Sequence, residues 1–522
     1  MAVRPPSPDD LSTIASGYRM GLSGQDIASF SPFVTGLLGS WDAVERLYAA
    51  TAPAAPPGRA WTRPPEAENP LGAWYVRTEI SPTSDGGPLA GRTLAVKDNI
   101  MVAGIPMMNG SHTVEGFVPT RDATVVSRLL AAGATITGKA VCEDLCFSGG
   151  SHTSVTGPVR NPWDTTRSAG GSSSGSAALV ASGVADLALG GDQGGSVRIP
   201  SSYSGTVGHK PTHGLVPYTG AFPIELTLDH LGPITRTVGD AARMLGVIAG
   251  PDGLDPRQPD AVQPVDYLAA LDAPTRGMRI GVVQEGFAVP GLSDPGVDDA
   301  VRAAVGRLQA GGLDVEEISV PWHRDAMHVW NVIATEGATA QMVAGNAYGM
   351  NWKGLYDPEL IAHHGRQWRE RSEQFSETVK LVLLAGRYAI DGYYGQHYAM
   401  ARNLAMELRR AYDDALVGVD VLVMPTLPIT ATPLPGPGAP REEYLARALE
   451  MIVNTAPFDV TGHPATSVPA GLVGGLPAGL MIIGRHFEDA ACLRVAATLE
   501  RVDGGFPTPP VHPKPPPVRL GR

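Results

Sequence analysis

The chain is poor in charged residues, cysteine and aromatic residues. Charged residues make up 18% of the 522 residues, aromatic residues 6%, and there are three cysteines. The formal net charge is −12, so the chain lacks the positive excess of a nucleic-acid-binding protein, and we expect no such partner. A small, odd number of cysteines excludes a disulfide framework and favours a reducing compartment.

Long apolar segments and metal-binding motifs are also absent. No run approaches the roughly 18 apolar residues of a membrane span. The first residues, MAVRPPSPDDLSTIA, lack the apolar core of a secretory signal. These absences predict a cytoplasmic protein with no membrane partner. His209 and His213 have the ligand spacing of a helical metal site, but Pro211 interrupts such a helix, so we expect no metal.

Glycine and proline are abundant, with 63 and 47 residues, and apolar residues make up 43% of the chain. A chain of this length and composition can bury a large core. Residues 7–50 show the spacing of short helices. The proline-rich stretch Ala52–Pro70 follows, and it can neither continue a helix nor lie inside a sheet. We therefore predict an N-terminal helical domain plus linker over residues 1–74.

Beyond the linker, short apolar strands alternate with amphipathic helices. Strands predicted at 92–96 and 134–139 flank a helix at 125–132, and the same order returns between residues 278 and 320. Strand–helix–strand units with short connections predict an α/β fold, with a central mixed, mostly parallel sheet covered by helices.

Residues 326–415 differ from this alternation. They contain Trp330, Trp352 and Trp368 and end in a long helical pattern. We interpret them as a small helical insertion that caps a cleft. The core domain would then consist of residues 75–325 and 416–522.

The most informative segment, 168–214, contains two stretches rich in glycine and serine, GGSSSGS and GGDQGGSVRIP. A phosphate-binding loop would need a lysine there, but none lies between Lys139 and Lys210. GSSSG matches the nucleophile elbow of α/β hydrolases, with Ser173 as the nucleophile. Glycine turns around a buried helix are a third explanation, and a pair of catalytic serines served by a lysine is a fourth.

The fourth explanation rests on a resemblance. The two stretches, LAVKDNI around Lys97, GHKPTHGLVPYTG from Gly208 and NTAPFDVTGHPATSVPAGL from Asn454 together resemble the amidase signature family. The matching pieces are spread over most of residues 75–490. GGDQGGSVRIP and the helical N-terminal piece are most similar to the bacterial amidases associated with nitrile hydratase. The resemblance implies the amidase-signature fold, no cofactor, and a homodimer formed through the N-terminal helices.

The resemblance also implies a catalytic triad of Lys97, Ser172 and Ser196. Ser196 would be the nucleophile, and Ser172, preceded by a cis peptide bond, would relay its proton to Lys97. Amide hydrolysis further needs hydrogen-bond donors for an oxyanion, and glycines let successive N–H groups point at one spot. The expected donors are the backbone N–H groups of Gln193, Gly194, Gly195 and Ser196.

The substrate pocket is predicted from position and looser resemblance. Its expected lining residues are Phe147, Ser148, Gly149, Trp330 and Ile452. Aromatic walls favour aryl or medium-sized aliphatic primary amides over very polar ones.

These observations together predict an amidase that converts carboxylic acid amides to the acid and ammonia through a serine acyl-enzyme. One alternative is a glutamine-dependent amidotransferase component, and another is an acyl-transferring biosynthetic enzyme of the same fold. The N-terminal helical piece favours the amidase. So does Met481, which stands where the family often has a glutamine that contacts substrate.

Overall fold

The structure is a computed structural model and describes residues 3–51, 58–259, 262–347 and 353–510. The chain divides into two compact units, Met1–Pro56 and Pro57–Arg522. The division falls earlier than the end of the expected linker, because residues from 58 onward belong to the second unit. The last residues of the expected core, 511–522, lie outside the described residues.

The first unit contains two helices, α1 (Pro8–Gly17) and α2 (Gly24–Thr51). Ser7 caps α1: its hydroxyl accepts from the Asp10 N–H (3.2 Å), while the Asp10 carboxylate accepts from the Ser7 N–H (2.8 Å). Helix α2 has 28 residues and continues through Pro32, so it is longer than the short helices that the sequence suggests.

The second unit is built on one large sheet that contains every strand of the described residues. In spatial order the strands are β1 (Trp61–Thr62), β2 (Trp74–Ile80), β4 (Thr135–Ala140), β3 (Thr93–Lys97), β5 (Leu187–Asp192), β7 (His230–Thr235), β6 (Val207–Lys210), β11 (Ala465–Val473), β12 (Leu476–Ile483), β10 (Val421–Pro425), β8 (Arg279–Val283) and β9 (Asp314–Ile318).

The sheet is mixed, as predicted, but the prediction that it is mostly parallel is wrong. Strand β3 pairs in parallel with β4 and β5, and β8 pairs in parallel with β9 and β10. The other pairings among the described residues are antiparallel. The predicted strand–helix–strand units do form the parallel pairs β3–β4 and β8–β9. The antiparallel majority comes from hairpins and longer returns, which hydrophobic periodicity does not reveal.

The expected linker also contributes to the sheet. Trp61 lies opposite Thr78, and Thr62 lies opposite Arg77, so β1 is a two-residue strand at the edge beside β2. An edge is where a sheet tolerates neighbouring prolines, because one side of the strand needs no hydrogen-bond partner. The exclusion of this stretch from the sheet was therefore too strict.

Helices cover the sheet and form the region predicted as an insertion. They are α3 (Thr124–Ala131), α4 (Ser174–Ala181), α5 (Arg198–Ser204), α6 (Val238–Ile248), α7 (Pro295–Ala310), α8 (Ala326–Ala338), α9 (Pro358–Arg371), α10 (Glu377–Tyr393), α11 (Gln396–Val417), α12 (Arg441–Leu449), α13 (Pro457–Thr461) and α14 (Asp489–Val502). Helices α8 to α11 account for the helical pattern of residues 326–415. Within the described residues, none of the helices is apolar over a length that could cross a membrane.

Candidate active site

Lys97 lies at the end of β3, inside the sheet. Its side chain is fully buried, and its Nζ donates to the Ser172 hydroxyl (2.8 Å) and to the Gly191 carbonyl (3.1 Å). The peptide bond between Gly171 and Ser172 is cis, as predicted. Two of the three proposed triad residues are thus in direct hydrogen-bond contact.

Ser196 lies in the loop that connects β5 to α5. Its carbonyl accepts from the Ser173 N–H (3.3 Å), which holds the two serine-rich stretches together. In the described chain, no hydrogen bond joins the hydroxyls of Ser172 and Ser196. The lysine side of the expected relay is formed, while the nucleophile side is open towards the cleft. Hydrogen bonds between catalytic groups often close only when substrate binds.

Ser173, the nucleophile of the hydrolase-elbow explanation, has a different position. It is fully buried, and its hydroxyl donates to the Gly191 carbonyl (3.1 Å) and accepts from the Gly191 N–H (3.2 Å). A hydroxyl engaged on both sides by one backbone residue ties β5 to α4. This position argues against Ser173 as a nucleophile.

A buried ion pair shapes the loop that carries Ser196. The Asp192 carboxylate accepts from the N–H groups of Gly195 (2.6 Å) and Val197 (3.0 Å) and from the Arg198 guanidinium (both 3.0 Å). Burial alone would raise the pKa of Asp192, but the Arg198 charge outweighs it and holds this pKa well below its usual value. Arg198 also donates to the Asp459 carboxylate (2.7 Å), which anchors the loop to α13.

The expected set of oxyanion donors needs one correction. The Gly195 N–H donates to Asp192 and therefore points away from the cleft, so the prediction for Gly195 is wrong. The N–H groups of Gln193, Gly194 and Ser196 have no acceptor in the described part of the chain. These three remain available to an oxyanion.

Two side chains hold the carbonyl groups of this loop. The Trp330 indole N–H donates to the Gln193 carbonyl (2.8 Å), and the Thr455 hydroxyl donates to the Gly194 carbonyl (2.7 Å). In a trans peptide the C=O and the following N–H point in opposite directions. Trp330 therefore fixes the direction of the Gly194 N–H. A Cβ at Gly194 would lie 2.7 Å from the Trp330 ring, which explains the glycine.

A cleft of about 470 Å³, including its open mouth, lies beside Ser196. All five predicted pocket residues line it: Phe147, Ser148, Gly149, Trp330 and Ile452. The rings of Phe147 and Trp330 are 6.4 Å apart, and Gly149 has no room for a Cβ because the Met451 sulfur would lie 2.6 Å away. Seven further lining residues were not predicted, namely Cys146, Ile199, Ile224, Glu225, Leu228, Ala334 and Leu449. Of these, Ile199 lies in the GGDQGGSVRIP stretch.

Most of these walls are apolar, and the one charged residue among them is already engaged. The Glu225 carboxylate accepts from Thr227 (2.7 Å to its N–H), Gln341 (3.0 Å) and the Tyr398 hydroxyl (2.6 Å). Because these donors already engage its carboxylate oxygens, Glu225 forms part of the cleft wall and is not available to bind a cation. The cleft suits an apolar acyl group.

The side chain of Gln193 contributes a feature that sequence reasoning missed. Its Nε2 donates to the Tyr218 hydroxyl (3.0 Å), and that hydroxyl donates its only proton to the Phe222 carbonyl (3.0 Å). Tyr218 can thus only accept from Gln193, which fixes the orientation of the amide. Gln193 lines the cleft, and its Oε1 is buried without a hydrogen-bond partner among the described residues.

The site combines a lysine hydrogen-bonded to one serine with a second serine on a loop whose N–H groups are free. This arrangement is typical of a serine hydrolase. The chain matches the sequence profile of the Amidase family over residues 44–493, and it belongs to that family. It is an amidase, an enzyme that hydrolyses an amide C–N bond.

Comparison with individual proteins agrees with this assignment. The chain is 59% identical to an enantioselective amidase from Rhodococcus rhodochrous, over 98% of both chains. Among solved structures it is similar to a glutamyl-tRNA(Gln) amidotransferase component from Thermotoga maritima (TM-score 0.70, 31% identity, 85% and 91% coverage). It is also similar to the peptide amidase of Stenotrophomonas maltophilia (TM-score 0.68, 30% identity, 81% and 85% coverage). These structures share the mixed-sheet fold.

Proposed function

We propose that the chain converts carboxylic acid amides to the acid and ammonia through an acyl-enzyme on Ser196. The observation that carries this proposal is the hydrogen bond from buried Lys97 to Ser172, beside the Ser196 loop. The Ser196 hydroxyl attacks the amide carbonyl, its proton passes to Ser172, and Ser172 passes its own proton to the Nζ of Lys97. The proton returns from Lys97 through Ser172 to the amide nitrogen, and ammonia leaves. Water then attacks the ester of the acyl-enzyme and gives a proton to the same relay, which returns it to the Ser196 oxygen as the acid is released.

The developing oxyanion is bound by the backbone N–H groups of Gln193, Gly194 and Ser196. Removing one donor from such a site typically costs on the order of 100- to 1,000-fold in rate. The ion pair of Asp192 and Arg198 keeps the loop in place before substrate arrives, so the donors need not reorganise during the reaction.

The substrate is an amide with an aryl or medium-sized aliphatic acyl group. Phe147, Trp330 and Ile452 supply apolar walls for this group. The unpartnered Gln193 Oε1 accepts a hydrogen bond from the N–H of the substrate amide, which satisfies a buried acceptor that otherwise costs free energy.

A glutamine-dependent amidotransferase component is the second candidate. Its support is the similarity to the Thermotoga maritima amidotransferase structure. The Rhodococcus amidase is similar at higher identity and over nearly the whole chain, including the N-terminal unit. Assaying the purified chain alone with benzamide and with glutamine separates the two: ammonia release only from glutamine, or only with a partner protein, contradicts the amidase.

The nucleophile is tested by labelling with a fluorophosphonate and locating the adduct by peptide mass spectrometry. We expect the adduct on the peptide containing Ser196 and no labelling of the Ser196→Ala variant. The control is Ser176→Ala, a buried serine of α4 whose hydroxyl donates to the Leu189 carbonyl (3.2 Å) outside the cleft. Labelling retained by Ser196→Ala refutes this nucleophile.

We also propose that the chain forms a homodimer through α2 and acts in the cytoplasm. The location rests on the three cysteines, all of which are buried and free. The dimer rests on an exposed apolar stripe on α2, formed by Phe30, Phe33, Leu37, Trp41, Val44 and Leu47. Such a stripe at helical spacing is typical of a helix that packs against a partner.

A further inference from the structure

A second cluster of titratable side chains lies outside the cleft and the triad. Asp413 is in the last turns of α11, His463 precedes β11, and His486 follows β12. The Nε2 of His463 lies 3.1 Å from the Asp413 Oδ1, and the Nδ1 of His486 lies 3.8 Å from the same oxygen. One nitrogen from each histidine and one carboxylate oxygen all lie within 4.8 Å of one another.

Thr461 orients both imidazole rings. The His486 Nε2 lies 2.9 Å from the Thr461 carbonyl, which can only accept, so Nε2 carries the proton. In a neutral imidazole the Nδ1 is then a lone pair, and it faces the Asp413 carboxylate. The His463 Nδ1 contacts the Thr461 hydroxyl (2.9 Å), which leaves its Nε2 directed at Asp413 as well. The His486 Nδ1 and the Asp413 Oδ1 are then two acceptors 3.8 Å apart, and a cation between them would bind both.

We propose that Asp413, His463 and His486 bind a divalent transition-metal ion, Zn²⁺ in the first instance. Two imidazole nitrogens and one carboxylate oxygen, with a fourth position for water, are a ligand set that zinc accepts. Bonds of about 2.0–2.1 Å in a tetrahedral site put ligand atoms about 3.3 Å apart. The two observed separations lie on either side of that value.

The surroundings fit a bound ion. Arg409 lies 3.4 Å from the other carboxylate oxygen of Asp413, Oδ2, and leaves Oδ1 for the metal. Thr461 supplies the outer hydrogen bonds that metal-bound histidines usually have. The Asp413 side chain is 45% exposed, while that of His463 is buried, so an ion can enter from the Asp413 side.

The three ligands come from three different elements, which suggests a structural role. A bound ion would join α11, from the predicted insertion, to the segments that flank β11 and β12. Thr461 is also the last residue of α13, the helix whose Asp459 binds Arg198. The ion would therefore stabilise the framework of the Ser196 loop without taking part in the reaction.

The test is to titrate chelator-treated protein with Zn²⁺. Calorimetry measures the binding, and the melting temperature measures the effect on stability. We expect one ion per chain, a higher melting temperature with zinc, and at least tenfold weaker binding by His486→Gln. His328→Gln, which changes an exposed histidine of α8, is the matched control and should bind zinc as the wild type does. Titration with Co²⁺ should give the visible absorption of a tetrahedral site.

Asp413→Ala provides a second variant, because its side chain is partly exposed and its loss does not open the core. It should also weaken zinc binding at least tenfold. Absence of stoichiometric binding by the wild type overturns the proposal, and so does unchanged binding by both variants. Failure of this test leaves the amidase proposal intact, because no triad or cleft residue takes part.

Discussion

Trp330 connects substrate binding to the geometry of the Ser196 loop. Its ring forms a wall of the cleft, and its indole N–H holds the Gln193 carbonyl. Only the first of these contacts was predicted from the sequence. In the proposed reaction, Trp330 therefore positions the Gly194 N–H and also forms part of the acyl pocket.

Replacing Trp330 by phenylalanine separates these two roles, because an aromatic wall remains while the hydrogen bond is lost. A buried hydrogen bond contributes roughly 1–1.5 kcal/mol, so we expect kcat to fall about tenfold. Steady-state kinetics with an aryl amide measures this. A rise in KM alone, with kcat unchanged, would mean that Trp330 acts only as a wall.

Trp368→Phe is the matched control. Trp368 lies in α9, its indole N–H donates to the Asn346 side chain (2.8 Å), and it does not line the cleft. The control loses the same kind of hydrogen bond elsewhere in the helical region. An equal fall in kcat in both variants would indicate general destabilisation instead of loop positioning.

Gln193→Leu tests whether the Gln193 Oε1 accepts a hydrogen bond from the substrate N–H. The variant keeps the approximate size but removes the acceptor. We expect kcat/KM for a primary amide to fall about tenfold more than for the matched methyl ester, which has no N–H. Comparing the two substrates cancels any effect on the shared oxyanion donors. Equal losses for amide and ester would assign Gln193 a structural role.

The site residues divide into those that sequence motifs reveal and those that only the fold reveals. Lys97, Ser172 and Ser196 lie in short motifs with characteristic composition. The error at Gly195 arose because a high glycine content predicts a tightly turned loop. It does not predict which N–H groups of that loop donate to a neighbouring carboxylate. Thr455 lies in the NTAPFDV stretch that the sequence analysis noted, but its contact with the Gly194 carbonyl was not predicted, because the two residues meet only through tertiary packing.

At the scale of elements, an ion pair holds the segment between α6 and β8 against the site. The Arg257 guanidinium donates to both Asp255 oxygens (2.8 and 2.6 Å), and Asp255 accepts from the Tyr218 N–H (2.8 Å). Tyr218 in turn holds the Gln193 amide. This ion pair thereby supports the cleft from outside it.

The Asp255 pair predicts a pH-dependent stability. Burial would raise the pKa of Asp255, but the Arg257 charge and these hydrogen bonds lower it from 3.8 to about 2. The folded state thus binds fewer protons than the unfolded state between these values. The pair contributes about 2 kcal/mol above pH 4, and this contribution is lost as the pH falls towards 2.

Asp255→Asn should remove this contribution. In urea denaturation, we expect the wild type to exceed the variant by about 2 kcal/mol at pH 7 and by clearly less at pH 3. Asp164→Asn alters a partly exposed aspartate, whose pKa is lowered mainly by hydrogen bonds from Thr166, and it should cost much less stability at pH 7 than Asp255→Asn. A difference that is the same at both pH values would contradict the assigned cause.

The elements themselves were predictable where the signal is local. The helix α7 follows a cap at Asp294, whose carboxylate accepts from the Gly296 N–H (2.8 Å), and it buries apolar side chains at helical spacing. The parallel pairs on either side of such helices followed from the order of elements. The Gly474–Gly475 turn between β11 and β12 is typical of a tight β-hairpin, but the sequence analysis did not predict a hairpin there.

The remaining antiparallel pairs are not local. Strand β5 pairs with β7, and β6 lies between β7 and β11, so the partners come from distant parts of the chain. Long-range pairing depends on which faces are buried together, and no short window of sequence contains that information.

At the scale of the whole molecule, the N-terminal unit has too little core of its own. In its two helices, Ala15 and Ile27 are the only buried apolar residues, while Phe33 is 72% and Trp41 55% exposed. An apolar stripe of this kind on a monomer costs solubility, and it marks an interaction surface. The proposed homodimer would cover this apolar stripe with a second copy of the chain.

The dimer is tested with the full chain carrying Phe33→Glu and Trp41→Glu together. Two carboxylates in the apolar stripe would be buried without partners in the dimer, a cost of several kcal/mol, so we expect a monomer by analytical ultracentrifugation at micromolar concentration. Thr35→Glu places one such carboxylate on the opposite, exposed face of α2 and should leave the dimer intact. A dimer that persists in the double variant would place the interface elsewhere. A monomeric wild type would refute the proposed dimer. Because the proposed triad lies entirely in the second unit, the dissociated chain should retain its amidase activity per site.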